Sequence, residues 1–225
     1  MSGHHDDYDV EPIPGLPAVP PMGERIVWQG SPEWRHVARH ILHIHAIAAY
    51  FAALVAWRVI SGTYDGQTFA TTVGNLAPFL VAAFVAIGLL VVIARAIART
   101  TIYTITSRRV VMRFGVALPV TFNLPFVAIE SAGVREGKDG HGDINLTLMS
   151  GKRIAYLVLW PHARPWTLKS PQPMFRAIPD VRSVAGLLRE ALEGDVAARG
   201  VRRMPEAAAS THNAVPAEHG LVAAE

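Results

Sequence analysis

The sequence predicts an α+β membrane protein: a two-helix transmembrane hairpin set ahead of an antiparallel β-roll that a C-terminal helix caps. Three observations carry this. Of 225 residues, 51% are hydrophobic and 17% charged, and the apolar excess sits in two blocks, which suits membrane spans better than one large soluble core. After those blocks come short β-branched runs with period-two alternation. The last apolar pattern is a helical stripe, Val181, Val184, Ala185, Leu188, Ala191 and Leu192, on one face of a helix.

Residues 1–23 read as a disordered cytoplasmic arm. His4, His5, Asp6, Asp7 and Asp9 make it polar, and Pro12, Pro14, Pro17, Pro20 and Pro21 forbid a helix and favour an extended chain. The His4-His5 pair beside carboxylates reads as a solvated terminus rather than a metal site. The arm lacks the basic and apolar regions of a signal peptide, so the first span is expected to be its own insertion signal. Residues 24–34 form a lead-in strand, because Ile26 and Trp28 alternate with polar neighbours and Gly30, Ser31 and Pro32 end the run. Trp28 and Trp34 also fit interfacial anchors.

Residues 41–60 are the first span, with Trp57 and Arg58 near its far end, where an aromatic belt and a snorkelling cation belong. Residues 61–75 are a polar periplasmic loop holding Asp65 and neither Lys nor Arg. Residues 76–98 are the second helix, uncharged through Ala94, with Pro78 in its first turn, where the missing N–H costs little. Arg25, Arg35 and Arg39 precede the pair, and Arg95, Arg99, Arg108 and Arg109 follow it. The positive-inside rule then puts both termini in the cytoplasm, with Arg58 the one opposing residue.

Strands are expected at residues 101–106, 110–114, 120–123, 129–134 and 144–149. Ser150-Gly151 reads as a hairpin turn into a further strand at 153–159. Pro179-Asp180 opens the last helix with Asp180 as N-cap, Gly194 stops it, and residues 195–225 read as a disordered tail.

The functional signals are those of a binding protein. The chain has no cysteine, which removes disulfides, thiolate metal sites and cysteine nucleophiles. Phosphate-loop, nucleophile-elbow and zinc-protease motifs are lacking, so no catalytic residue and no enzyme are expected. No nucleic-acid partner is expected either. Gly137, Gly140 and Gly142 with Lys138 lie between two strands and do not open a helix, so they read as a hairpin loop rather than a phosphate cradle. Trp160, His162, Arg164 and Trp166 offer a partner-binding surface, since Trp and Arg dominate interface hot spots. The alternative is a loop pinned by Trp burial and Pro rigidity. His36, His40 and His43 fall on one helical face. His45, with His43 as second candidate, stands beside Ala49, Ala52 and Ala56, and an imidazole there could ligate a pigment such as bacteriochlorophyll. The same alanines would also permit close packing against Ala82, Ala83 and Ala86.

The run Tyr103-Thr104-Ile105-Thr106-Ser107-Arg108-Arg109-Val110-Val111 with Gly115, together with residues 23–32 ahead of a membrane hairpin, resembles the bacterial pleckstrin-homology-like (PH-like) domain. That resemblance implies a seven-stranded roll in which the lead-in is the first strand and the spans split the domain. Across roughly residues 11–193 the chain is similar to the PuhB family of photosynthetic-complex assembly proteins. The likeness rests on Glu11-Pro12-Ile13-Pro14-Gly15-Leu16-Pro17, Trp28-Gln29-Gly30 and Trp160-Pro161-His162-Ala163-Arg164-Pro165-Trp166. It implies a non-catalytic factor in the inner (intracytoplasmic) membrane of a purple bacterium. Its partners would be reaction-centre and core light-harvesting antenna subunits, other assembly factors and membrane lipid, with homo-oligomers left open. Antenna helices commonly carry an alanine four residues before the ligating histidine. Ile41 holds that place relative to His45. The rival expectation is a generic membrane-anchored PH-like module that binds lipid or protein without any link to photosynthesis.

Overall fold

Among the described residues, seven strands form where β-branched and aromatic residues cluster, and they pair into two antiparallel sheets. The structure, a computed structural model, describes residues 13–116, 118–149, 156–165 and 171–210. The first sheet has the order β1 (Ile26–Gly30), β2 (Ile102–Thr106), β3 (Arg109–Phe114) and β4 (Val120–Pro125). The second has the order β5 (Ile129–Glu136), β6 (Gly142–Leu148) and β7 (Met174–Ile178). β1 pairs with β2, Trp28 opposite Ile105 and Gly30 opposite Tyr103, so one sheet closes across everything that lies between these strands in the chain. The helix α5 (Val181–Ser210) places Val181, Val184, Leu188 and Ala191 on the core.

Between β1 and β2 stand the helical elements. The short α1 (Trp34–His36) runs into a π-helical turn at Val37–Ile41, and α2 (Ile44–Tyr64) and α3 (Phe69–Thr100) follow. Both long helices are long and apolar enough to cross a membrane, and their apolar windows are not buried within the molecule. The polar connection is much shorter than the expected residues 61–75, because Ser61 to Tyr64 and Phe69 to Asn75 are helical. Thr63 Oγ1 donates to Ile60 O (2.6 Å) and Thr72 Oγ1 to Thr68 O, so these residues satisfy their hydroxyls inside the helix. The Thr68 side chain accepts from Thr71 N–H and so caps α3. Pro78 therefore lies inside α3 rather than in its first turn. The alanine stripe is also placed otherwise. Ala49, Ala52 and Ala56 are exposed, while Phe51, Leu54, Val55 and Arg58 are half-buried. On α3, by contrast, Ala83 and Ala86 are half-buried and Ala82 is exposed.

The expected strand at residues 153–159 does not supply the partner of β6. Tyr156–Leu159 is one helical turn, labelled α4, and β6 pairs instead with β7. A short apolar run carries no period that separates helix from strand. β7 escapes the sequence reading for a related reason: all five of its residues are buried, so it shows no alternation. The expected tail begins too early as well. α5 continues past Gly194 to Ser210, and the Arg199–Asp195 ion pair one turn apart supports the extension. Asp180 has φ +48°, outside the extended geometry of an N-cap, and Val181 N–H donates to Gly140 O (3.1 Å).

The arm is not wholly free either. Residues 1–12 lie outside the described residues, but Leu16 is 1% exposed. Gln29 Nε2 donates to Pro14 O (2.8 Å) and to Thr104 Oγ1 (2.9 Å). Gly15 adopts φ +88°, and a Cβ there would meet Ile102 Cγ2 at 2.5 Å, so only glycine lets the chain lie this close to β2. Glu24 then forms a two-pronged ion pair with Arg109 (2.7 and 3.1 Å) with its side chain only 3% exposed.

The main core joins Tyr103, Met112, Phe114, Leu146, Phe175 and Leu188. Trp28 packs against it and stacks on Phe175, so it serves the domain and not a membrane interface. A second cluster of Val37, Ala38, Ala94, Ile97 and Ala177 fastens the base of the helical pair to β7. Trp34 strengthens this junction, with the Arg95 guanidinium 4.2 Å from its ring centroid.

Candidate functional site

The candidate site is built around an irregularity in β7. Between Phe175, which faces Ile144, and Ile178, which faces Gly142, two residues oppose the single Asp143. This is a β-bulge, and bulges re-aim side chains. Ala177 at the bulge has φ +56°. Its N–H donates to Asp143 Oδ1 (3.1 Å), and its carbonyl accepts from Glu33 N–H (2.8 Å). Asp143 also accepts from Arg135 (3.2 Å). The neighbouring Arg176 is 8% exposed and gives Nη1 to Pro161 O (3.2 Å), while its Nε has no hydrogen-bond partner among the described residues. Burial pulls the Arg176 pKa below its ordinary value, with Asp143 opposing.

Two adjoining grooves share His40, Ile41, Arg135, Asp143 and Arg176 in their linings. The larger, about 780 Å³, is also lined by His43, Tyr156, Trp160 and Arg164. The smaller, about 540 Å³, is lined by His36, Asp139 and His141. Both lie where the helical pair meets the β domain.

The expected partner surface is thus divided. Trp160 is 54% exposed, and Arg164 donates to Gln172 Oε1 (2.9 Å) at the rim. A cis peptide bond joins Trp160 to Pro161. Trp166 lies outside the described residues. His162 is corrected: it is 1% exposed and belongs to the core, so it does not touch a partner. The Tyr103 hydroxyl accepts from Arg176 N–H (3.2 Å), which leaves its own proton for His162 Nδ1 (2.6 Å), and Nε2–H faces Thr101 Oγ1 (3.3 Å). Burial, helped by Arg176, pushes the His162 pKa down to about 3, so the ring is neutral.

The histidine face is also rearranged. His36 and His40 stack with centroids 4.2 Å apart, but His43 has φ +51° and breaks the helix before α2. Its Nδ1 lies 3.1 Å from Ile41 O, and it lines the larger groove. His45 is exposed in the first turn of α2, separate from both grooves. In place of His43, His141 joins the stack. Its ring lies 4.9 Å from that of His36, nearly parallel, and Asp139 Oδ2 approaches His36 Nδ1 (3.4 Å) and His141 Nδ1 (3.8 Å). Burial and then His40 lower the His36 pKa, with Asp139 opposing. Sequence reading missed Asp139 and His141 because they come from the β5–β6 turn, far along the chain from His36, and no spacing signals that meeting. Nor did any signal mark Arg176, a charged residue in a strand without period. The grooves present an indole, guanidinium groups and imidazoles over an apolar floor, which equips them to hold a partner's planar or acidic groups.

Comparison with known proteins agrees with the architecture. No solved structure matches the chain. A Rhodobacter capsulatus protein described as an uncharacterized 23.7 kDa protein in the puhA 5′ region is 41% identical over 211 residues, which are 93% of this chain and 98% of that protein. The Bacterial PH domain family matches residues 37–192, a stretch from the π-helical turn through the helical pair and strands β2 to β7 into α5, with β1 ahead of it. The chain belongs to the bacterial PH domain family.

Proposed function

We propose that this chain is a membrane-anchored, non-catalytic assembly factor for the photosynthetic reaction centre and its core antenna. The observation that carries this is the near full-length relative encoded beside puhA, a photosynthesis locus. The likeness to PuhB-type proteins, carried by the Pro-rich arm and the 160–166 segment, points the same way. In this reading α2 and α3 cross the inner membrane as a hairpin, since their apolar faces have no cover in the molecule. The arginines on either side of the pair put both termini in the cytoplasm. The groove with Trp160, Arg164 and His43 then faces nascent subunits at the cytoplasmic surface. No step asks for chemistry by this chain. A pigment such as bacteriochlorophyll, where one is held, would be ligated by His45 or His43.

The test is accumulation of reaction centres. Deleting the gene in a phototroph slows it, while growth by respiration stays normal. A Trp160→Ala, Arg164→Ala double variant inserts normally and restores only part of the accumulation. Normal accumulation in the deletion strain would sink this reading. It would favour a general PH-like module that binds lipid or protein, the reading that family membership alone supports.

A further inference from the structure

We propose that His36, Asp139 and His141 form a binding site for a zinc-class divalent metal ion that fastens the β5–β6 turn to α1. The three residues offer two imidazole nitrogens and a carboxylate oxygen, all within 4.8 Å of one another. Bonds of about 2.0–2.2 Å at tetrahedral angles set ligand atoms about 3.3–3.5 Å apart. The Asp139 oxygen is already 3.4 Å from His36 Nδ1 and 3.8 Å from His141 Nδ1, so binding asks for closure of well under an ångström on those two edges. The rings of His36 and His141 lie nearly parallel. A turn of the His141 ring, a quarter exposed and carried on a surface turn, brings its nitrogen towards the common point. His40 stacks on His36 beside the cluster but is not one of its three ligands.

The frame around the cluster is firm. Glu33 accepts from His36 N–H (2.8 Å), which fixes the start of α1. The turn is closed by Gly137 N–H donating to His141 O (2.7 Å) and is tied to α5 through Gly140 O. Charge in the groove is balanced: Arg135, Lys138 and Arg176 stand against Glu136, Asp139 and Asp143. Two imidazoles with one carboxylate suit zinc and its neighbours in the first transition row, and not magnesium or calcium, which take oxygen sets. This inference does not depend on the assembly reading.

The experiment is titration of the full chain in detergent with zinc(II) against a chromogenic chelator. One equivalent is expected to bind, and Asp139→Asn or His141→Gln each weakens it at least tenfold. Lys138→Ala in the same turn leaves it unchanged, as does a His4→Gln, His5→Gln double variant, which removes the competing histidines of the arm. Zinc should also slow amide exchange across residues 137–141 in the wild type and not in Asp139→Asn. Asp139 is exposed, so Asp139→Asn is expected to unfold at the wild-type midpoint. Binding that survives the His36→Gln, His141→Gln double variant, or that vanishes only with the arm histidines, overturns the site. So does no binding at all, which leaves only the direct contacts of the Asp139 carboxylate with the two imidazoles.

Discussion

In the β domain Tyr103, Met112, Leu146 and Phe175 are wholly enclosed by their own chain, whereas in the helical pair Trp57, Phe69, Phe84, Val85 and Leu89 are turned outward. The two regions carry similar side chains and dispose of them differently. The domain makes an interior from two sheets and α5, with Tyr103 stacked on Phe175 at 4.4 Å. The pair keeps one shared seam and leaves the rest of its apolar surface uncovered within the molecule, on helices long and apolar enough to cross a membrane. Apolar surface therefore builds an interior in one region and stays outside in the other. What joins the two is small: the cluster of Val37, Ala38, Ala94, Ile97 and Ala177, and the bulge beneath it.

The sharpest way to break this contrast is a matched pair of truncations. Phe175→Ala removes a fully buried ring in contact with Tyr103 and Trp28, and we expect a loss of about 3–5 kcal/mol. Phe84→Ala removes an equal ring that is 82% exposed in the molecule, and domain stability should move by no more than about 0.5 kcal/mol. Urea unfolding in detergent, followed by tryptophan fluorescence, reads both. Comparable losses from the two would mean that the helical pair has a packed partner after all.

Next in size is a pH effect confined to the domain. His162 is enclosed and neutral, with its pKa down from 6.5 to about 3. Between those values the unfolded chain takes up a proton that the folded chain refuses. Stability is thus intact above about pH 6.5 and falls as the pH drops towards 3, at about 1.4 kcal/mol per pH unit from this residue. His162→Gln keeps a partner for the Tyr103 hydroxyl and should flatten that slope. A wild-type unfolding midpoint that stays constant from pH 7 to pH 5 would contradict the neutral, buried assignment.

Legibility in the sequence follows the same division. Where a segment meets water on one face, its period is visible, as in β1 and the stripe of α5, while β2 and β3 are almost wholly buried and were legible through their β-branched composition. Where a segment is covered on both faces, as β7 is, the period disappears and composition alone remains. Long apolar runs announced both long helices, but their ends were hidden, because Thr63 and Thr72 are polar in composition and helical in hydrogen bonding. Docking of the arm rested on one leucine and one glycine, Leu16 and Gly15, too few residues to form a pattern. The site was legible in part. Trp160 and Arg164 stood out as residue types, while Arg176, Asp139 and His141 meet the helical base only through the bulge and the β5–β6 turn. His162 shows the opposite failure: a polar residue in a Trp- and Arg-rich segment reads as surface, yet the hydroxyls of Tyr103 and Thr101 await its ring inside.

The smallest expected effect concerns the residue on which the two regions meet. Ala177 holds φ +56° while 1% exposed, and left-handed backbone costs a residue with a Cβ about 1–2 kcal/mol. Ala177→Gly removes that cost. It also removes a methyl group from the junction cluster, worth about 0.8 kcal/mol of burial. It frees the unfolded chain as well, which costs about 0.4–1 kcal/mol more. These contributions nearly cancel, so thermal unfolding should shift by less than about 0.5 kcal/mol in either direction. The hydrogen bonds that Ala177 makes to Asp143 and Glu33 come from its backbone and are available to glycine. The bulge, and with it the aim of Arg176 into the grooves, should therefore survive. A loss above about 2 kcal/mol would show that the methyl group, rather than the backbone bonds, holds the helical pair to the domain. A gain of that size would show that the junction is limited by strain, and that the chain keeps alanine there for a reason other than stability.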